Sequence, residues 1–272
     1  MRRLKVGLIG CGAIGRAIAG FLVRESPGRV QIAYVCEHQT QKAEALCREL
    51  KIKPRTETLR GLIQKSDFII EAAGTQAAGE ASALALRGHK QIMVMSAGGL
   101  ITHDAWQREI QQSRGNLWVP SGAVAGLDGL LAAREAGIKR VRLLTRKAPA
   151  ALQGAEYFKK RPFPKLRGTK QVCVYRGSAK RAVKDFPQNV YVAALLSLAG
   201  LGAVKTQVEI WTARGYRENI HEIQIESAAG DICIRLKNVP AAANPKTSAL
   251  AFYSAMALLR RIFSSDFNGT QS

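Results

Sequence analysis

Short apolar runs and longer amphipathic stretches alternate through the first 120 residues. The segment VGLIG (6–10) is apolar without a break, as a strand covered on both faces should be, and Ile18, Phe21 and Leu22 then keep helical spacing. Further strands are expected in VQIAYVC (30–36), DFIIEAAG (67–74), QIMVMSAGG (91–99) and NLWVP (116–120). Helices are expected between them, in TQKAEALCREL (40–50), QAAGEASALALRGHK (76–90) and HDAWQREIQQSRG (103–115). This grammar predicts a parallel sheet with right-handed crossovers, whose ligand edge is the set of loops following the strands. Ala73 lies in one of those loops and 96–99 form another.

Beyond Pro120 the pattern changes. A helix over 125–133 leads to the strand KRVRLLTRK (139–147), then QVCVYR (171–176), two helices divided by FPQN (186–189), and the strands TQVEIW (206–211) and ICIRL (232–236). Between the last two, RENIHEIQIE (217–226) alternates at period two, which sets His221 with Ile223 and Ile225 and leaves Glu222, Gln224 and Glu226 opposite. A histidine on the apolar face is either a hydrogen-bonded core residue or part of a site. Alternation of this kind predicts an open, largely antiparallel or mixed sheet with one wet face. The final segment, NPKTSALAFYSAMALLRRI (244–262), reads as a capped helix, with Thr247 and Ser248 as capping donors or ligand contacts. The expected organisation is an α/β chain: domain one over 1–120 completed by 240–272, and an α+β domain over 121–239.

The first strand runs straight into G-x-G-x-x-G. Gly10 permits the tight turn, Gly12 lets a pyrophosphate approach the backbone, and Gly15 lets the helix pack against the strand. Ala13 and Ile14 open that helix and offer free N–H groups to an anion. Glu37 ends the second strand, where a carboxylate accepts from both adenosine ribose hydroxyls and repels a 2′-phosphate. The first domain is therefore expected to be Rossmann-type and doubly wound, and to bind NAD or NADP at Gly10, Gly12, Ala13, Ile14, Gly15, Glu37 and Ala73. Glu37 favours NAD, although His38 and Lys42 stand close enough in sequence to soften the preference.

Composition, 47% hydrophobic and 22% charged, is that of a globular domain. No run of about 18 apolar residues suggests a membrane span, and the short, glycine-broken apolar start is not expected to be an export signal. Five scattered cysteines without metal spacing suggest reduced thiols, a cytoplasmic protein and no metal site. The net charge of +21 raises nucleic-acid binding, since ten Lys or Arg and no acid fall between 159 and 184. That stretch holds only Phe163 and Tyr175 as stacking aromatics, and no nucleic-acid module is recognisable, so this is not expected to be the primary function.

From GCGAIG (10–15) to NPKTS (244–248) the chain resembles the L-aspartate dehydrogenase family. Between these lie PSGA (120–123), GLDG (126–129), TRK (145–147), GSA (177–179), FPQNV (186–190), LSLAGLG (196–202), NIHEI (219–223) and NVP (238–240). The resemblance implies a dinucleotide-binding domain, a catalytic and dimerisation domain whose sheet closes the active site, and a homodimer. The implied reaction is NAD(P)-dependent oxidative deamination of L-aspartate to iminoaspartate or oxaloacetate plus ammonia, which can feed NAD biosynthesis. It also implies that Ala123 and Asn189 contact the nicotinamide end and that His221 is the catalytic residue. On this reading His221 removes the amine proton or activates the water that attacks the imine.

A substrate with two carboxylates calls for cationic donors, and Arg146, Lys147 and Lys246 all fall in family motifs. Arg181, after the GSA motif, and Tyr191, two residues beyond Asn189, depart from the family pattern. They keep open another amino or keto dicarboxylate as substrate. The alternatives from another class are a non-catalytic NAD sensor and a nucleic-acid-binding protein.

Overall fold

The computed structural model describes residues 3–26, 28–187, 191–241 and 244–263. It divides into two compact units, 1–96 with 105–122 and 251–272, and 97–104 with 123–250. The expected boundaries shift: the first unit's main segment ends at 122 and not at 120. Residues 97–104 join the second unit, and the returning terminal segment joins the first only from 251.

In the first unit β1 (Leu4–Ile9), α1 (Ala13–Glu25), β2 (Val30–Cys36), α2 (Thr40–Leu50), β3 (Arg55–Thr56), α3 (Leu59–Lys65), β4 (Phe68–Glu71), α4 (Thr75–Arg87) and β5 (Gln91–Val94) follow one another. After α5 (Gly98–Thr102), which belongs to the second unit, α6 (Ala105–Gln112) and β6 (Leu117–Trp118) complete the sheet. All pairings are parallel, in the order β3-β2-β1-β4-β5-β6. Strand direction of crossover therefore reverses between β1 and β4, the place where ligands sit in open α/β sheets. All four residues of β4 are buried, as expected for a strand with helices on both faces. Ile18, Phe21 and Leu22 of α1 pack with Val6, Leu8, Phe68 and Met93 from the sheet, together with Ala255 and Leu259 near the C-terminus.

The second unit holds α7 (Leu127–Ala136), β7 (Ile138–Arg146), α8 (Pro149–Leu152), α9 (Glu156–Lys159), β8 (Val172–Ser178), α10 (Ala179–Asp185), α11 (Tyr191–Ala199) and β9 (Gln207–Thr212). Then come β10 (Asn219–Ser227), β11 (Gly230–Asn238), β12 (Pro240–Ala241) and β13 (Asn244–Ser248), ahead of α12 (Ala249–Phe263). Its five-stranded sheet has the order β11-β10-β7-β9-β8, antiparallel except for β7 with β9. One face is apolar, with Val141, Leu143, Val208, Ile210, Ile223 and Ile225 buried. Ion pairs cover the other: Arg140 with Glu226, Arg142 with Glu209 at 2.7 Å, and Arg146 with Glu222 at 3.3 Å. NPKTS is therefore a strand, β13, and not the start of the terminal helix. Its Ser248 is buried, and its hydroxyl lies 3.5 Å from the Asn219 amide nitrogen.

The ten cations between 159 and 184 are all exposed. The aromatics there turn inward. Phe163 packs on Phe158 and Tyr175 on Tyr157 and Phe186, so neither ring is displayed for base stacking.

Candidate functional site

The glycine-rich turn of the first unit is locked by close backbone approach. Gly10 adopts φ +91°, and a Cβ there would lie 2.6 Å from the Ala73 backbone. A Cβ on Gly15 would lie 2.1 Å from the Gly10 carbonyl oxygen. Gly12 differs, because a Cβ there would meet nothing within 4 Å. Gly12 is the N-cap of the 13-residue α1, it has no side chain to cap the first turn, and no acid lies in that turn. Free N–H groups, a positive dipole end and an open glycine face together fit a dinucleotide pyrophosphate.

Glu37 stands just past β2, half-buried. Its carboxylate accepts from Cys11 N–H at 2.7 Å and from Gln39 N–H at 3.0 Å. Burial works against the charge, but these N–H groups and nearby Lys42 outweigh it and hold the carboxyl below its ordinary range. The carboxylate keeps lone-pair capacity for a ribose hydroxyl. Cys11 is a buried thiol, pushed up to about 12 first by burial and then by Glu37, so it stays protonated and unreactive.

Sequence reading missed Glu71. This residue ends β4, is fully buried, and gathers four donors: Ala73 N–H at 2.8 Å, Gly74 N–H at 2.9 Å, and both the N–H and the hydroxyl of Ser96 at 3.1 and 3.0 Å. The signal was present in DFIIEAAG, where an acid sits inside an otherwise apolar strand run.

In the second unit, the apolar sheet face turns polar at one end. His221 is 2% exposed and pairs across the ladder with Thr145, whose Oγ1 lies 2.9 Å from His221 Nδ1. Two residues along each strand bring Lys147 and Asn219 to the same face. Both are buried, with Lys147 Nζ 3.5 Å from Asn219 Oδ1. Asn238, opposite Asn219 in β11, donates to the Ala123 carbonyl at 3.3 Å. Burial alone pushes Lys147 down to about 8. Burial, and then the Lys147 charge, push His221 down to about 3, so its imidazole is neutral. No carboxylate bonds to Lys147 among the described residues. A buried ammonium with one long amide contact has the chemistry to accept an anion.

Residues 128–262 match the family described as aspartate dehydrogenase, C-terminal, and residues 10–116 match the NAD-binding domain of homoserine dehydrogenase. The chain is 38% identical to L-aspartate dehydrogenase of Methanosarcina acetivorans, over 95% of this chain and 97% of that one. It is 36% identical to the enzyme of Methanosarcina mazei over the same shares. The chain belongs to the L-aspartate dehydrogenase family. Among solved structures, aspartate dehydrogenase from Thermotoga maritima superposes with a TM-score of 0.73 at 25% identity, covering 97% of this chain and 98% of that one. The fold is thus the family's α/β fold, and the first unit is an NAD(P)-binding domain.

For this member of the L-aspartate dehydrogenase family, the structure brings His221 and Lys147 together and separates Arg146 from them. Alternation along β7 turns Arg146 to the opposite face, where Glu222 pairs with it, so the expectation that Arg146 lines the pocket is corrected. Asn189 and the side chain of Lys246 lie outside the described residues. Ala123 is buried and held through its carbonyl by Asn238. Asp128 is exposed in the first turn of α7, where a negative charge suits the helix dipole. Thr145, Asn219 and Asn238 were not singled out from sequence; their positions two residues from Lys147 and His221, or across the ladder, carried the signal. No helix among the described residues is long and apolar enough to cross a membrane, and no group of metal-ligating side chains is found among them.

Proposed function

We propose that the protein is an NAD(P)-dependent L-aspartate dehydrogenase, which oxidises L-aspartate to iminoaspartate, whose hydrolysis by water gives oxaloacetate and ammonia. The observation that carries this reading is the buried Lys147 beside the neutral His221, on a family framework whose named members are L-aspartate dehydrogenases. A bound nicotinamide dinucleotide supplies the hydride acceptor. Lys147 holds a substrate carboxylate, which the buried ammonium otherwise lacks. His221 takes a proton at Nε2, and this requires Nδ1–H to donate to Thr145 Oγ1. The carboxylate that neutralises Lys147 also removes one of the two causes that depress His221, so substrate binding raises the basicity of the imidazole.

Glu37 supports a preference for NAD over NADP, and Gly12, Ala13, Ile14, Ala73, Ala123 and Asn189 complete the cofactor contacts in this reading. A homodimer, a cytoplasmic setting with five free cysteines, and a supply of iminoaspartate to NAD biosynthesis belong to the same proposal. The test is absorbance of newly formed NADH or NADPH at mildly alkaline pH. L-Aspartate, D-aspartate, L-glutamate and L-malate are supplied in parallel with each cofactor. Reduction with L-aspartate alone, faster with NAD, is expected. Reduction with another dicarboxylate alone would replace the substrate.

A further inference from the structure

A buried carboxylate that accepts only backbone and hydroxyl donors is expensive to keep, since burial opposes its charge. Glu71 is such a group, and its four partners define what it does. Oε1 takes the N–H groups of Ala73 and Gly74 and the Ser96 hydroxyl, while Oε2 takes the Ser96 N–H. These donors come from two separate loops, one after β4 and one after β5. Ala73 in turn lies against Gly10, where even a Cβ has no room. One side chain thus ties the β4 and β5 loops together and holds the first of them against the glycine-rich turn.

Sheet order gives this clamp a direction. Glu37 beside β2 marks the adenosine side, the turn after β1 takes the pyrophosphate, and β4 and β5 continue away from adenosine. We propose that Glu71 is a positioning residue for the nicotinamide half of the dinucleotide. It sets the two loops over which that half lies, while the adenine half binds independently of it. The inference rests on the NAD(P)-site reading of the first unit.

Glu71→Gln separates the two halves. The amide oxygen can replace Oε1, but the amide nitrogen then faces the Ser96 N–H donor to donor, which releases the β5 loop. Titration with NADH, followed by its fluorescence, and with ADP, followed by calorimetry, reads each half. Loss of one charged hydrogen bond predicts an NADH Kd raised about 10-fold or more. The ADP Kd is expected to stay within about 2-fold. Faster hydrogen exchange of the Ser96 amide is the accompanying sign.

Equal weakening of NADH and ADP, or no change in either, overturns the proposal. Failure of the wild-type protein to bind NADH or ADP would instead remove the NAD-site reading. If Glu71→Gln does not fold, Ser96→Ala removes only the hydroxyl donor. A several-fold weaker NADH affinity with unchanged ADP affinity is then expected, and unchanged affinity for both overturns the proposal.

Discussion

The two candidate sites are made of different material. At the edge of the first unit the working groups are backbone: uncapped N–H groups at the start of α1, glycines without side chains, and two carboxylates, Glu37 and Glu71, that hold loops by their N–H groups. At the polar end of the second unit's sheet they are side chains, Thr145, Lys147, Asn219 and His221, gathered from β7, β10 and the turn after β7. A backbone site tolerates many residues and forbids Cβ atoms. A side-chain site depends on strand register and on burying charge, so it works against stability.

The largest effect sharpens the chemical half of that contrast. His221→Ala should lower kcat/KM for L-aspartate by about 10²–10⁴-fold, the usual contribution of a positioned proton acceptor. The NADH Kd should not change, because His221 is assigned a proton and no cofactor contact. Steady-state kinetics and a fluorescence titration measure the two.

Lys147→Met tests the cost of the side-chain site. The folded ammonium sits at about 8, against about 10.4 when unfolded. A folded value below the unfolded one means the unfolded chain binds the proton more strongly. The penalty is therefore complete below about pH 8, shrinks as pH rises from there, and is gone above about 10.4. At pH 7 the variant should be more stable by up to about 3 kcal/mol, and above pH 10.4 it should show no advantage. Denaturant unfolding at the two pH values checks this. Activity with L-aspartate should be lost at both.

The glycine pair breaks the backbone site in two ways. Gly15→Ala drives a Cβ into the Gly10 carbonyl and should cost about 1–3 kcal/mol of stability. Gly12→Ala, with φ −71° and open space around its Cβ, should unfold at an unchanged or slightly higher temperature yet weaken NADH binding. Thermal melts and titrations together distinguish the two. The smallest effect is expected at Glu37. Glu37→Ser should raise the NADP to NAD ratio of kcat/KM by about 10-fold, through lost ribose hydrogen bonds and lost repulsion of the 2′-phosphate.

The same contrast explains what was legible in the sequence. Glycine spacing states a backbone requirement directly, so Gly10, Gly12, Gly15 and Glu37 could be read along with the strands that flank them. Alternation put His221 on the inner face, and the family motifs put Lys147 near it. Alternation also forbids adjacent residues Arg146 and Lys147 from sharing a face, and motif membership concealed this. Thr145 as partner to His221 follows from the register of β7 against β10, which no local pattern fixes. NPKTS looked like a helix cap because Thr and Ser precede an apolar run; pairing with β12 made it a strand.

The most direct test of the central claim is the inhibition constant of succinate, a dicarboxylate without an amine, as a function of pH. If Lys147 is the substrate's carboxylate receptor, succinate should compete with L-aspartate, and its affinity should fall by up to about 10-fold per pH unit above about pH 8 as the ammonium loses its proton. An inhibition constant that stays flat to pH 10, or is unchanged in Lys147→Arg and Lys147→Met, would contradict a site built around the buried lysine.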